Sequence, residues 1–213
     1  MLRYITIALK HPKAIKNLIY KNYLGIILNY DISKENFIAL NELNNYHVKK
    51  SKSIDQIFNF YRHMGRTSVT KSSITKWINE GYECFLIYDN KIVIGGTWIF
   101  KNEFNLLQVS GRILSVNKTI KLNKDVLYKC YTIIDSDYRG KGLNQLLIKE
   151  LLKNYSNSNY NKIIAITGAS NGGYIRSTMK CGGTLIGIVQ VRNIFGVIRR
   201  KEIFIDTKEK SWQ

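Results

Sequence analysis

Proline is almost absent from this sequence, with one residue, Pro12, in 213. The chain therefore has few built-in breaks, and any loosely built turn stands out against clear helical periodicities. Cysteine is also scarce: Cys84, Cys130 and Cys181 are far apart and odd in number, which argues against a disulfide framework or a zinc knuckle. Cys84 and Cys130 each border an aromatic residue on one side, and all three read as buried or half-buried thiols. His11, His47 and His63 have no metal-ligand spacing, so no metal site is expected. No apolar run approaches the roughly eighteen residues of a membrane-spanning helix. The opening MLRYITIALKHPKAIKN has only a short apolar patch, closed by Lys10, His11 and Pro12, a poor signal peptide. The expectation is a cytoplasmic protein with no transmembrane segment. Acidic residues are few, 15 against 33 lysines and arginines, giving a formal charge of +18. Such a field invites polyanions: nucleic acid, anionic lipid heads or a phosphorylated small molecule. The lysines are dispersed, however, and heavy use of asparagine, isoleucine and lysine throughout also fits compositional bias.

What is present is enough for one sizeable core with an extension, at 45% hydrophobic residues. Residues 1–45 read as a basic amphipathic extension. In HPKAIKNLIYKNY, Ala14, Ile15, Leu18 and Ile19 fall at helical spacing; GIILNY is strand-like; KENFIALNEL reads as a short helix. Ile15, Leu18, Ile19, Ile26, Ile27 and Leu28 are too apolar for a free tail. The extension is expected to pack on the main domain, or on the second copy in a homodimer. The main domain is expected over 46–207, followed by a short polar tail, 208–213. YHVKK is its first strand, and a helix follows with Ser53 as N-cap and Gly65 as terminator. SSITKWINEGY stops at Gly81, and CFLIYD and KIVIGGTWIF form a hairpin through Asp89-Asn90. Between 101 and 124, FNLLQVS and RILSVN read equally as a hairpin or a flap. DVLYKCYTIID is a long strand, and the helix after it carries a stripe of Leu143, Leu146, Leu147, Leu151 and Tyr155. The strand KIIAIT, a helix ending near Cys181 and a last hairpin turning near Gly196 complete an α+β chain with a mixed sheet.

The stretch YRGKGLNQLL raises the main question. A helix leaves its first N–H groups unpaired, and its dipole makes that end positive. Gly140 and Gly142 allow a tight turn and close approach, while Arg139 and Lys141 add full charges. A strand leading into such a turn is a phosphate cradle. It is neither GxxxxGK[ST] nor the dinucleotide G-x-G-x-x-G, because no third glycine follows Gly142 at that spacing.

IIDSDYRGKGLNQLLIKELL resembles motif A of the GNAT N-acetyltransferase superfamily, with Arg139 in the Gln/Arg place, Gly142 at the first glycine and Asn144 where glycine or alanine is usual. KIIAITGASNGGYIRSTMKCGGTLIG is similar to motif B, with Asn171 on the family asparagine, and YECFLIYDNKIVIGGTWIF resembles the second and third strands. The resemblance implies a GNAT-like mixed central β-sheet flanked by helices, splayed at the acyl-CoA site. The donor it implies is acetyl-CoA or another acyl-CoA. The pantetheine arm would enter beside the strand from Tyr131 to Ile134, against Ile133 and Ile134. The pyrophosphate would lie on the amides of Arg139, Gly140, Lys141, Gly142, Leu143 and Asn144, with Asn171 nearby.

The resemblance also implies a tyrosine that protonates the leaving thiolate, and its place is taken by Thr178. Tyr174 lies one turn earlier on the same face. The usual aromatic after the last glycine is Gly183. Relatives often carry a carboxylate base before motif A, but no acid lies between Asp125 and Asp135. Asp135 and Glu103 are the candidate bases, with a water relay as the alternative. The implied reaction is acyl transfer to the amine of a small molecule, an anionic one by the positive rim, such as a nucleotide-linked amino sugar. The competing readings are a non-catalytic acyl-CoA-binding protein and a nucleic-acid-binding module; the latter leaves the R-G-K-G turn unexplained.

Overall fold

Period-two and period-3.6 stretches alternate along the chain, and the elements follow them. The computed structural model describes residues 20–32, 45–105, 119–194 and 197–204. Of the helix expected over 11–23, residues 11–19 lie outside the described residues, while Tyr20–Tyr23 are extended and open the first strand instead, paired with the ninth. The expected helix within 35–44, most of the segment between 101 and 124, the last turn at Gly196 and the tail from 208 lie outside the described residues. In chain order the elements are β1 (Tyr20–Asp31), β2 (Tyr46–Ser51), α1 (Ile54–His63), α2 (Lys71–Asn79), β3 (Glu83–Asp89), β4 (Ile92–Phe100), β5 (Glu103–Asn105) and β6 (Thr119–Lys121). They continue as β7 (Val126–Ile134), α3 (Leu143–Tyr155), β8 (Lys162–Gly168), α4 (Gly172–Lys180), β9 (Thr184–Ile194) and β10 (Val197–Phe204).

Local chemistry sets the boundaries. The Ser53 hydroxyl caps α1 by accepting from the Gln56 amide, and Thr70 and Ser73 form a reciprocal capping box on α2. Asn90, at φ 53°, turns the β3–β4 hairpin.

Eight strands form one sheet in the order β10-β9-β1-β8-β7-β4-β3-β2, and β5 with β6 makes a small second sheet. β7 and β8 are the parallel pair; the other neighbours are antiparallel. Apolar alternation buries both faces. Ile164, Tyr128, Trp98 and Ile57 belong to the core on the side of α1 and α2. Ile163, Leu127 and Phe85 meet Leu143, Leu147, Leu151 and Tyr155 of α3 on the other.

Residues 20–31 differ from expectation. GIILNY is strand, but as part of a full strand between β8 and β9, where the expectation is an extension packed on a main domain beginning at 46. Ile27 and Leu28, neighbours that point to opposite faces, are both fully buried there, so the sheet is covered on both sides at that point of the strand. The sheet therefore begins before residue 46.

Candidate active site

The parallel pair β7–β8 holds register only from Val126–Lys162 to Lys129–Ala165. Beyond that point each strand runs on with its outer neighbour: Ile133 and Ile134 pair with Gly96 and Gly95 of β4, and Ala165 to Gly168 pair with β1. Two strands hydrogen-bonded on their outer edges but not to each other leave a wedge with backbone groups facing into it. On the β4 side the register slips between Gly96 and Trp98, where β7 carries an extra residue, and Tyr131 sits at φ 51°. This is a β-bulge, which re-aims the strand. It is held by Tyr61, whose hydroxyl donates to the Tyr131 carbonyl at 3.0 Å, and by Thr97, which donates to the Cys130 carbonyl at 3.0 Å.

The open end of the wedge meets the glycine turn. Gly142 caps α3 at φ 80°, ψ 3°, and Gly140 lies at φ 79° with open space where a Cβ would stand. Gly142 has no side chain to cap the helix, so the first amides of α3 depend on other acceptors. Arg139 is exposed, and its Nε donates to the Ile134 carbonyl at 3.1 Å, tying the turn to the end of β7. Lys141 Nζ lies 4.6 Å from the Tyr138 ring centre. Leu143 is buried, anchoring the first turn of α3. Amides, a dipole and nearby cations form a donor set suited to a polyanion, and the wedge suits an extended amide-bearing chain.

A polar group lies where the wedge closes. Lys129, on β7, is 2% exposed. Its Nζ donates to the Tyr174 hydroxyl at 3.0 Å and to Asn144 Oδ1 at 3.3 Å, and lies 4.8 Å from the Tyr174 ring centre. Asn144 in turn donates to Ser177 Oγ at 2.9 Å. Thr178, fully buried, donates to the Tyr174 carbonyl at 2.9 Å and pairs with the Tyr30 hydroxyl at 2.7 Å. With the threonine proton already committed, Tyr30 is the donor of that pair. Burial, then the neighbouring Tyr174, pushes the Tyr30 phenol well above its ordinary pKa. A Cβ on Gly183 would collide with Thr178 Cγ2, so the two departures from the motif B pattern pack against each other.

The remaining predicted residues have other surroundings. Asn171 caps α4: its Oδ1 accepts from the Tyr174 amide at 3.3 Å, and its Nδ2 donates to Thr167 Oγ1 at 3.1 Å. The Asp135 carboxylate caps a short 3-10 turn, Ser136–Tyr138, accepting from the Asp137 amide at 3.2 Å. Glu103 is exposed on β5, and its carbonyl accepts from Tyr82 at 3.4 Å. Among the described contacts, neither acid touches the Lys129–Tyr174 group. Sequence reasoning missed Lys129, Tyr30 and the bulge. The signal for Lys129 was present, a lysine inside the apolar run VLYKCYTII at the same parity as Leu127.

Residues 52–183 match the profile of the acetyltransferase (GNAT) family. The chain belongs to that family. Over 62 residues it is 39% identical to a protein of Amsacta moorei entomopoxvirus named as a glycylpeptide N-tetradecanoyltransferase, covering 25% of this chain and 21% of that protein. The GNAT fold is shared with a tandem GNAT protein from the clavulanic acid biosynthesis pathway, at a TM-score of 0.55, 13% identity, and coverage of 82% of this chain and 54% of that one. A conserved protein from Staphylococcus epidermidis gives a TM-score of 0.53 at 10% identity, covering 85% and 64%. The chain thus spans about a fifth of the viral relative and under two thirds of each of these solved chains. β1 lies outside the GNAT match, yet supplies Tyr30 to the polar group. Among the described residues, no helix is long and apolar enough to cross a membrane, and no cluster of His, Cys, Asp or Glu could hold a metal ion.

Proposed function

We propose that this GNAT domain transfers a short acyl group, acetyl or a near homologue, from an acyl-CoA to the amine of a small anionic molecule. The observation that carries the reading is the parting of β7 from β8 beyond Lys129–Ala165, opening onto the Gly140–Gly142 turn. When bound, an acyl-CoA supplies an activated thioester. The backbone of Thr132 to Ile134 lines the wedge and would pair with the pantetheine amides. The first amides of α3, with Lys141 beside them, hold the pyrophosphate. The bulge at Tyr131 interrupts the pairing of β7 with β4, and a backbone amide there would be available to polarise a thioester carbonyl. Tyr174 accepts from Lys129, so its own O–H is directed elsewhere and would serve as a hydrogen-bond donor to the leaving sulfur. Thr178 holds Tyr30 and the helix instead. No carboxylate is described at this group, so ordered water takes the amine proton. The field of +18 favours an anionic acceptor. The name of the entomopoxvirus relative refers to tetradecanoyl transfer, so longer acyl chains belong in the donor panel.

The test is free-thiol release from acetyl-CoA and longer acyl-CoAs across a panel of amines, including phosphorylated and nucleotide-linked amino sugars. Release above the hydrolysis blank with an anionic amine is expected. CoA binding without release across the panel would favour a non-catalytic binder, and absence of CoA binding would end the reading.

A further inference from the structure

This inference rests on the acyl-CoA reading above. Lys129 is a buried cation whose described partners are all neutral: the Tyr174 hydroxyl and ring face, and the Asn144 carboxamide. None of the ion pairs among the described residues includes it. A cation removed from water without an anion is costly, and an anion brought beside it would offset that cost. The two acceptors engage two of the three N–H donors of the ammonium. Its place is specific, because the Lys129–Ala165 pair is the last before β7 and β8 part. Its field also acts on sulfur. Burial raises the Cys181 thiol to about 11 and pushes the Cys130 thiol well up, and in both cases the charge of Lys129 pulls the other way.

We propose that Lys129 is the resident charge that holds the donor's sulfur as a thiolate when the thioester is cleaved. The amine nitrogen bonds to the carbonyl carbon, the C–S bond breaks, and its electron pair stays on sulfur. The amine's proton leaves through water. Asn144 and Tyr174 fix the position of the Lys129 Nζ from α3 and α4. The groups around it are Tyr174 and Cys181 from α4 and its end and Asn144 from α3, with Tyr30 of β1 beyond Tyr174; Cys130, next on its own strand and on the opposite face of the sheet, also feels its charge.

The test follows the thiol of protein-bound CoA. Thiolate absorbance is titrated against pH as the difference between the CoA and desulfo-CoA complexes, which cancels the protein's own phenols and thiols. In the parent, the midpoint should lie at least about one pH unit below that of free CoA, tenfold more thiolate at a given pH. Lys129→Met should return it to the free value, Lys129→Arg should keep most of the shift, and desulfo-CoA affinity should be the same in all three. A bound thiol in the parent that titrates like free CoA overturns the proposal, whether or not Lys129→Met folds. Equal loss of CoA and desulfo-CoA affinity in Lys129→Met would make the lysine a phosphate anchor and also overturn it. If the parent binds neither compound, the acyl-CoA reading itself falls, and this proposal with it.

Discussion

Gly142 occupies the left-handed region at φ 80°, ψ 3°, where an L side chain costs about 1–2 kcal/mol. A β-branched residue there would strain the turn and crowd whatever approaches the first amides of α3. Gly142→Val should therefore lower stability by about that amount while CoA affinity falls much further. Arg139→Ala should weaken CoA roughly tenfold, about 1.4 kcal/mol, because only its tie to the Ile134 carbonyl is lost and the amides remain. Arg192, on β9 and separated from β8 by β1, should tolerate alanine with no change. Calorimetry with CoA on the three variants, each checked for folding by circular dichroism, reads the order directly. A Gly142→Val variant that folds and binds like the parent would remove the cradle. The glycines were legible in the sequence because turn chemistry is local. Tyr131 at positive φ was not, since nothing in the type of a tyrosine announces a bulge that Tyr61 and Thr97 hold from other elements.

Between elements, two features carry the fold and could not be read from short windows. The first is β1. GIILNY announced a strand, but its place between β8 and β9 depends on pairings with residues more than a hundred positions away. Ile27 is fully buried in the core shared with Ile57 and Trp98. Ile27→Ala should cost about 2–5 kcal/mol, measured from the denaturant midpoint. No loss would mean that β1 is not part of the sheet. The second is Glu83 on β3, which receives Lys50 from β2 at 2.7 Å, Lys101 after β4 at 2.8 Å and the Tyr155 hydroxyl at the end of α3. Burial pushes its carboxyl up, but the hydrogen bonds from Lys101, Lys50 and Tyr155 outweigh burial and hold it below the ordinary range. A depressed carboxyl contributes stability above its unfolded pKa and loses it as pH falls through the folded value. Melting temperature should thus fall between about pH 5 and about pH 3, and less steeply in Glu83→Gln. Equal slopes in the two proteins would show that Glu83 does not report the acid transition. The α3 stripe and the Ser53 cap, by contrast, were legible because they depend on neighbours three and four residues apart.

Across the whole molecule, +18 is a field and not a site. It should raise the rate at which a polyphosphorylated ligand arrives, and stopped-flow association of CoA should slow steeply with ionic strength while dissociation changes little. A salt-independent on-rate would assign the charge to composition alone. The fold class and the order of elements from β2 to β4 and from β7 to β10 were readable because each unit follows its own periodicity; β5 and β6, three residues each, are too short to show one and fall in the segment the sequence left open. The polar group of Lys129, Tyr174 and Tyr30 was not, because it is assembled from β7, α4 and β1 by the sheet order. The central claim is that the wedge and the glycine turn form one acyl-CoA site. Amide hydrogen exchange with and without CoA, resolved to single residues, tests it most directly. Added protection should appear at Thr132–Ile134 and at Gly142–Asn144, with none at Tyr46–Ser51 of the edge strand β2. Protection confined to other residues, with these two stretches unchanged, would contradict it.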